Sequence, residues 1–497
     1  MKIKLYKLMM IVTFTLYVLF SPFTAYAESD EWNVDAAKID TFMESAINRF
    51  HIPGAALGII KGDQTVYLKG YGFSGPEKTP VTPQTPFVLG STSKSFTALA
   101  IMQLVEEGKI DLDAPIKRYL PWFRLADEEA SKHILVKHLL NQTSGLSTYD
   151  GRLGMMNGNK SVEEHIRDLT HTSLSNPVGS VFQYSNLNYN ILGGIVQAVS
   201  GEPFTQYVSN HIFKQLDMVH SYASPEKAQN DGLATGYQPV FGFMAPTKQL
   251  RHEGTVASGY LISSAEDMSN YLIAQINRGH FKNKTVLSEE GVELMHRPSS
   301  SMGDGVFYAM GWSVNKNVIF HNGVTENTYS FMVMNGDYGI VLLINANDFL
   351  ISYDSIVAGI NGILHGQERS QADLPDFSKT YLIVDLIVLI GLGLVSRSIY
   401  NLFKWKARFK ATTLRIFINY VYILLFNLLL PIGIVIYLPK LAQAPWSVAF
   451  SFLPGLGQVL YFISILLLCM GLVKAVLIIR SMDGDKKEDL NLVNSSS

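Results

Sequence analysis

Cysteine is almost missing from this chain. Among 497 residues there is one, Cys469, so no intrachain disulfide and no Cys-based zinc site can form, and Cys469 lies in an apolar run where a thiol packs rather than reacts. An excess of either charge is also missing: 40 Lys and Arg face 42 Asp and Glu, which gives nucleic acid no basic surface to bind. Charged residues make up only 16% against 47% hydrophobic, where soluble domains run near 25% charged, so part of the chain is expected in a membrane. No H-E-x-x-H, no G-x-S-x-G elbow and no P-loop occurs, which argues against a zincin, an α/β-hydrolase and a nucleotide phosphate site. His133 with His138 and His165 with His171 read as surface or core histidines. No metal or other cofactor is expected.

What is present divides the chain along its length. Lys2, Lys4 and Lys7, the apolar run Leu8 to Phe20 and Ala25-Tyr26-Ala27 read as an export signal cleaved near Glu28; an uncleaved anchor is the alternative. After residue 370 the polar stretch "HGQERSQADLPDFSK" leads into three apolar segments, roughly Thr380 to Ser396, Ile416 to Leu438 and Ser447 to Val473, each near the length that crosses a bilayer. Arg397, Lys404, Lys406, Arg408, Lys410 and Arg415 lie between the first two and place that loop in the cytoplasm. Arg480, Lys486 and Lys487 put the C-terminus on the same side, which leaves the soluble part outside the cell. The expected organisation is a signal peptide at 1–27, an extracytoplasmic domain at 28–368, a linker at 369–379, three transmembrane helices within 380–480 and a cytoplasmic tail at 481–497. Asp385, Asn419, Asn427 and Gln458 are polar within the spans, either functional or engaged in hydrogen bonds between helices.

The soluble region mixes both periodicities. Val34, Ile39, Phe42, Met43, Ala46 and Ile47 recur at helical spacing, and "PGAALGIIKGDQTVYLKGYG" predicts two strands joined at Lys61-Gly62-Asp63. A mostly helical middle runs from Lys94 to about Gln275. Strands return in "YAMGWSV", "NVIFHNG", "SFMVMN" and "YGIVLLINA", and the helical "SYDSIVAGINGIL" follows. The pattern predicts an α+β fold: one antiparallel sheet flanked by helices, plus a helical lobe.

Three Ser-x-x-Lys matches occur: Ser91 to Lys94, Ser224 to Lys227 and Ser313 to Lys316. Ser224 precedes Pro225 and a polar turn. Ser313 sits in a strand-like stretch, on which i and i+3 face opposite ways. Only Ser91 opens an amphipathic helix, with Phe96, Leu99, Ala100, Met102 and Val105 as its apolar positions. A lysine one turn from a serine can take the hydroxyl proton if burial keeps the amine neutral, and a helix start offers free N–H groups to an oxyanion. An N-cap serine beside a solvated lysine is the alternative.

Two further stretches decide between them. Tyr184-Ser185-Asn186 is the only Tyr-x-Asn among the 24 tyrosines, and His321-Asn322-Gly323 ends a predicted strand. With these three motifs in this order the chain resembles the serine β-lactamase and penicillin-binding protein superfamily, in particular its class C β-lactamase and D-alanyl-D-alanine carboxypeptidase branch, over roughly residues 35 to 365. "PGAALGII", "LLNQTSGLS" and "ASGYLISSAEDMSNYL" add lesser similarities. The resemblance implies the β-lactamase/transpeptidase-like fold, with Ser91 as acylated nucleophile, Lys94 sharing its proton and Tyr184 as partner base or shuttle. It further implies that Asn186 holds the amide of the acyl side chain, that His321, Asn322 and Gly323 lie on a substrate-binding strand, and that the backbone N–H groups of Ser91 and Val324 form an oxyanion hole. Two cations flanking Tyr184 would lower the phenol's pKa.

The third motif departs from the common Lys-Thr-Gly, with His321 for lysine and Asn322 for threonine. Partial charge on a histidine makes acyl transfer firmer than carboxypeptidase activity; superfamily members with His-x-Gly include D-aminopeptidases and esterase-like hydrolases. His252-Glu253-Gly254 also fits His-x-Gly, but sits in a loop rather than at a strand end. Gln142 stands where histidine is frequent and reads as a structural turn residue. The expected function is a multi-pass, membrane-anchored serine hydrolase acting on a small peptide or β-lactam-like substrate, with D-amino-acid peptides of the wall or related amides and esters favoured. A β-lactamase, an esterase or a low-turnover membrane-tethered sensor stays open.

Overall fold

The computed structural model describes residues 34–157, 160–405, 409 and 412–495. The predicted export signal lies outside them, as do Lys406, Arg408 and Lys410 of the basic loop. By their packing the described residues up to Ser378, apart from Val240–Gly242, form one compact unit, and Val240–Gly242 with Lys379 onward forms another.

The first unit is built on helix α1 (Ala36–Phe50), strands β1 (Gly54–Lys61) and β2 (Gln64–Gly72), helices α2 (Ser93–Glu106), α3 (Thr148–Gly154), α4 (Asn186–Ser200), α5 (Val256–Gly259) and α6 (Ala265–Ile276), strands β3 (Ser300–Gly303), β4 (Val306–Tyr308), β5 (Ser313–Asn315), β6 (Val318–Val324), β7 (Tyr329–Asn335) and β8 (Tyr338–Ile344), and helix α7 (Asp354–Leu364). The eight strands form one sheet in the order β2-β1-β8-β7-β6-β5-β4-β3, each pair antiparallel. Strand β1 therefore pairs with β8, Ala55 opposite Ile344 through Lys61 opposite Tyr338, and the long middle of the chain is an insertion between early and late strands.

Continuous burial along β1 from Gly54 to Ile60 follows from helices on both faces, a setting in which a strand reads as an apolar run without alternation. On one face α6 lies so close that a Cβ on Gly58 would meet Ser269 Oγ at 2.5 Å. Burying Leu57, Ile59 and Ile60 contributes roughly 2 kcal/mol each. The helical lobe is organised around α4, whose face from Leu187 to Val196 is buried in the same apolar cluster as Phe96, Leu99, Ile101 and Leu104 of α2.

One expected strand is broken. "YAMGWSV" is divided between β4 and β5 by a turn at Ala309–Trp312, because Gly311, at φ +81°, tucks against α2: a Cβ there would meet Ser95 Cα at 2.7 Å.

The second unit contains three helices long and apolar enough to cross a membrane, Phe377–Phe403, Thr413–Leu441 and Leu456–Met482, the first of them starting before the unit boundary. Their polar residues are mostly engaged. Asn427 donates to the Leu467 carbonyl at 2.7 Å across two helices, Asn419 donates to Arg415 O of its own helix at 2.8 Å, and Gln458 accepts from the Gly455 N–H at 2.8 Å. Asp385 Oδ1 is buried without a hydrogen-bond partner among the described residues.

Candidate active site

Ser91 lies in a single 3₁₀ turn, Gly90–Thr92, that leads into α2, rather than in the helix proper. It is half-buried while residues 92–100 are fully buried, so its hydroxyl is the group of this stretch that faces outward. Neighbouring hydroxyls fix the turn: Thr92 Oγ1 and Ser330 Oγ both donate to the Leu89 carbonyl, at 2.9 and 2.5 Å, and Ser93 Oγ accepts the Leu261 N–H at 3.1 Å.

Lys94 is wholly buried. Its Nζ lies 3.1 Å from Ser91 Oγ, 2.8 Å from Asn186 Oδ1 and 2.5 Å from the Ser258 carbonyl oxygen, and 4.8 Å above the Tyr184 ring. Desolvation holds its pKa well below the usual lysine value. Burial disfavours the charged form of an amine and nothing anionic compensates here.

Tyr184 stands two residues before the start of α4, its phenol within electrostatic reach of Ser91. Its phenol departs from the sequence-based expectation. The pKa is raised well above 10, by burial first and by the neighbouring Tyr308 second, while Ser91 and the Arg152 charge only partly oppose this. Two flanking cations were expected to depress it, but one of them, Lys94, is itself desolvated.

The third motif crosses this turn. Strand β6 pairs with β7 through Val324 opposite Tyr329, but with β5 only to Phe320 opposite Ser313, so from His321 to Val324 one edge of β6 has no strand beside it among the described residues. Gly90 and Gly323 meet closely. A Cβ on Gly323 would fall 2.0 Å from Leu89 O and 2.9 Å from Ser91 N, and one on Gly90 2.4 Å from Val324 N. Only glycine at both positions lets the Ser91 and Val324 amides border one spot, and Gly90 also holds φ +59°.

His321 is buried. Its Nδ1 lies 2.5 Å from the Asn322 carbonyl oxygen, and its Nε2 is buried without a partner among the described residues. Burial and the nearby Lys94 push its pKa down to about 3, so the ring is neutral at physiological pH and supplies no cation. Asn322 alternates to the other face of β6, is exposed, and lies within electrostatic reach of Asp354; its side chain does not join Ser91, Lys94, Tyr184, Asn186 and His321. The competing residues lie elsewhere. Ser224 precedes a short helix at Pro225, Ser313 is buried in β5, and His252 stacks on Tyr260.

Three contributors escape the motifs. Ser258 holds Lys94 through its backbone. Gln142, at φ +59°, accepts the Ser185 N–H at 2.9 Å and the Asn188 side-chain amide at 2.5 Å, and so sets the turn that carries Tyr184. Arg152 of α3 is close enough that its charge and the Tyr184 phenol shift each other. Ser258 acts through its carbonyl oxygen and Gln142 through its side-chain oxygen, and only "ASGYL" and "LLNQTSG" mark them in the sequence. Among the described residues no group of three or more His, Cys, Asp or Glu is placed to hold a metal.

A family model described as Beta-lactamase matches residues 36–354. Protein flp of Staphylococcus aureus strain MW2 is 31% identical over 323 residues, which are 63% of this chain and 64% of that protein; the match thus spans less than two thirds of this relative's length. The octameric penicillin-binding protein homologue from Pyrococcus abyssi superposes with a TM-score of 0.59 at 28% identity, covering 67% of this chain and 78% of that one. A class C beta-lactamase superposes with a TM-score of 0.58 at 20% identity, covering 67% and 96%, a likeness of fold.

Proposed function

Because this chain belongs to the beta-lactamase family, we propose that it is a membrane-anchored serine hydrolase that works through an acyl-Ser91 intermediate on D-amino-acid-containing peptides or related amides and esters. The observation that carries the reading is the buried Lys94 amine. A neutral amine has two N–H groups and one lone pair. With the N–H groups given to Asn186 Oδ1 and Ser258 O, the lone pair is left for the Ser91 hydroxyl at 3.1 Å, which is the arrangement of a base beside its nucleophile.

In the acylation step Ser91 Oγ bonds to the substrate carbonyl carbon as its proton passes to Lys94. The oxyanion is met by the Ser91 and Val324 amides. The bond from that carbon to the leaving nitrogen or oxygen then breaks, and the leaving group takes a proton through the Tyr184 hydroxyl, whose raised pKa keeps it a phenol. Water hydrolyses the ester. The open edge of β6 from His321 to Val324 suits a substrate bound as an added strand. Asn186 orients Lys94 and the acyl amide, and neutral His321 positions the pair rather than reading a carboxylate. The soluble domain faces the outside of the cell and the three helices anchor it in the bilayer, with the C-terminus in the cytoplasm; protease added to intact cells should cut near Gln371 to Pro375 and spare Lys404 to Lys410.

Exposure to a penicillin followed by intact-mass analysis tests the chemistry. One adduct, mapped to Ser91 and absent in Ser91→Ala, is expected. An adduct on another serine, or none with any acyl donor, ends the proposal, and an adduct that persists indicates a low-turnover binding protein instead.

A further inference from the structure

We propose that the hairpin formed by Tyr237–Val240 and Phe243–Pro246 is a second membrane contact, which sets Phe243 among the lipids of the outer leaflet and Lys248 and Arg251 against anionic headgroups. The inference goes beyond the hydrolase reading and rests only on the membrane topology proposed with it.

The turn of this hairpin is built against local preference. Two residues, Phe241 and Gly242, join the paired strands, and both hold positive φ, at +50° and +75°, as in a type I′ turn. Asn-Gly or Gly-Gly suits such a turn. A bulky ring at positive φ is uncommon. The tip nevertheless reads Val-Phe-Gly-Phe-Met, so apolar side chains stand where backbone geometry favours small polar ones. Phe243 is 78% exposed, more than any other large apolar side chain of the first unit among the described residues.

The surroundings of the tip identify the partner. Val240–Gly242 packs with the membrane-length helices as part of the second unit. Within that unit a Cβ on Gly455 would fall 2.8 Å from the Phe241 ring, and one on Gly242 3.0 Å from Tyr381 Cβ. Tyr381 lies near the start of Phe377–Phe403, and Gly455 directly precedes Leu456–Met482. By the proposed topology both are outer ends, the depth at which aromatic rings collect between headgroups and hydrocarbon. The base of the hairpin is pinned in the first unit: Tyr237 donates its N–H to the Asn345 carbonyl at 2.8 Å and accepts the Asn347 N–H at 3.1 Å, and Asn327 Nδ2 donates to the Thr247 carbonyl at 3.1 Å. Charge agrees. Between Gly232 and Ala265 the charged residues are Lys248, Arg251 and Glu253; both cations are exposed and outnumber the acid, and cations beside an apolar tip bind an anionic bilayer surface.

The test uses full-length protein with Cys469→Ser as background and a nitroxide attached at Phe243→Cys, in vesicles of equal parts phosphatidylglycerol and phosphatidylcholine. Oxygen partitions into lipid and a nickel chelate stays in water, so their relative collisions with the nitroxide report its depth. The label at 243 is expected to collide mainly with oxygen, as is one at Ile390→Cys, exposed on the first membrane-length helix. A label at Val219→Cys, also exposed but outside the hairpin, should collide mainly with nickel. A water-like label at 243 beside a lipid-like one at 390 overturns the contact while leaving the helical anchor intact, and lipid-like labels at 243 and 219 alike overturn its assignment to the hairpin. Water-like labels at 243 and 390 overturn the membrane topology and this inference together. Spin–spin broadening at 243 means that a second copy covers the tip and overturns the lipid assignment. Lys248→Gln combined with Arg251→Gln should make the label shallower in these vesicles and leave it unchanged in phosphatidylcholine alone; an equal change in both, or none in either, overturns the headgroup role.

Discussion

The Ser258 carbonyl oxygen lies 2.5 Å from the Lys94 amine, although 164 residues separate them. That contact and the one to Asn186 use up the hydrogens of an uncharged amine and leave its lone pair to Ser91, so under the proposed acyl-serine chemistry the ionisation of Lys94 sets the reactivity of Ser91.

The pH dependence of acylation follows with its sign. Lys94 acts as free base above its own pKa, which burial holds well below the usual value, and Tyr184 acts as phenol below a pKa raised well above 10. The rate should rise as pH increases through the Lys94 pKa and fall only as Tyr184 ionises. His321, at about 3, should add no limb near 6.5, the value of a free imidazole. Acylation rates measured from pH 5 to 9 with a neutral and a carboxylated donor check this; a break near 6.5 that disappears in His321→Asn would contradict a neutral histidine.

Replacing Tyr184 by phenylalanine removes the hydroxyl beside Ser91 while keeping the ring over which Lys94 sits. Acylation is expected to slow by about 10²-fold or more, as for loss of a positioned proton carrier, with the melting temperature little changed. Stopped-flow acylation at one pH gives the answer, and wild-type kinetics in the variant would take the phenol out of the mechanism.

Gly323→Ala places a methyl 2.0 Å from Leu89 O, so the Gly90 turn must move away from β6. The two amides that would meet the oxyanion then separate. Loss of one such donor costs about 10² to 10³ in rate, and acylation should fall at least that far with circular dichroism preserved. Alanine tolerated at full rate would mean that the amides do not act as a pair.

Gln142→Ala withdraws the acceptor from the Ser185 N–H and the Asn188 amide, both in a buried setting. A buried donor left without a partner costs about 1–3 kcal/mol. Both the melting temperature and the acylation rate should drop, because the turn that presents Tyr184 is no longer fixed. A drop in stability alone would make Gln142 a residue of the lobe and not of the site.

The parts of this molecule that were legible in its sequence are those whose information is local. Ser91 and Lys94 are one turn apart, the short apolar strands from Val318 to Ile344 announce themselves, and Tyr184 stands at a helix start. The three C-terminal helices follow from length and apolarity. What was not legible depends on residues brought together from far apart or on burial. The turn at Ala309–Trp312 exists because Gly311 meets α2, Ser258 and Gln142 contribute polar contacts to distant motifs, and Asn322 turns away from the site by strand alternation. Ionisation was the least legible. A histidine in place of lysine looked like a weaker cation, yet full burial beside Lys94 makes it no cation at all.

The pairing of β1 with β8 has a consequence for the order of assembly. Strand β1 leaves the ribosome early and has only β2 to pair with until residues 338–344 appear, and contacts so distant in sequence are slow to form. The Gly323 crossing that shapes the Ser91 turn belongs to the same late group of strands. A chain that stops before residue 338 therefore leaves an edge of unpaired β1, apolar from Gly54 to Ile60, exposed and open to other chains.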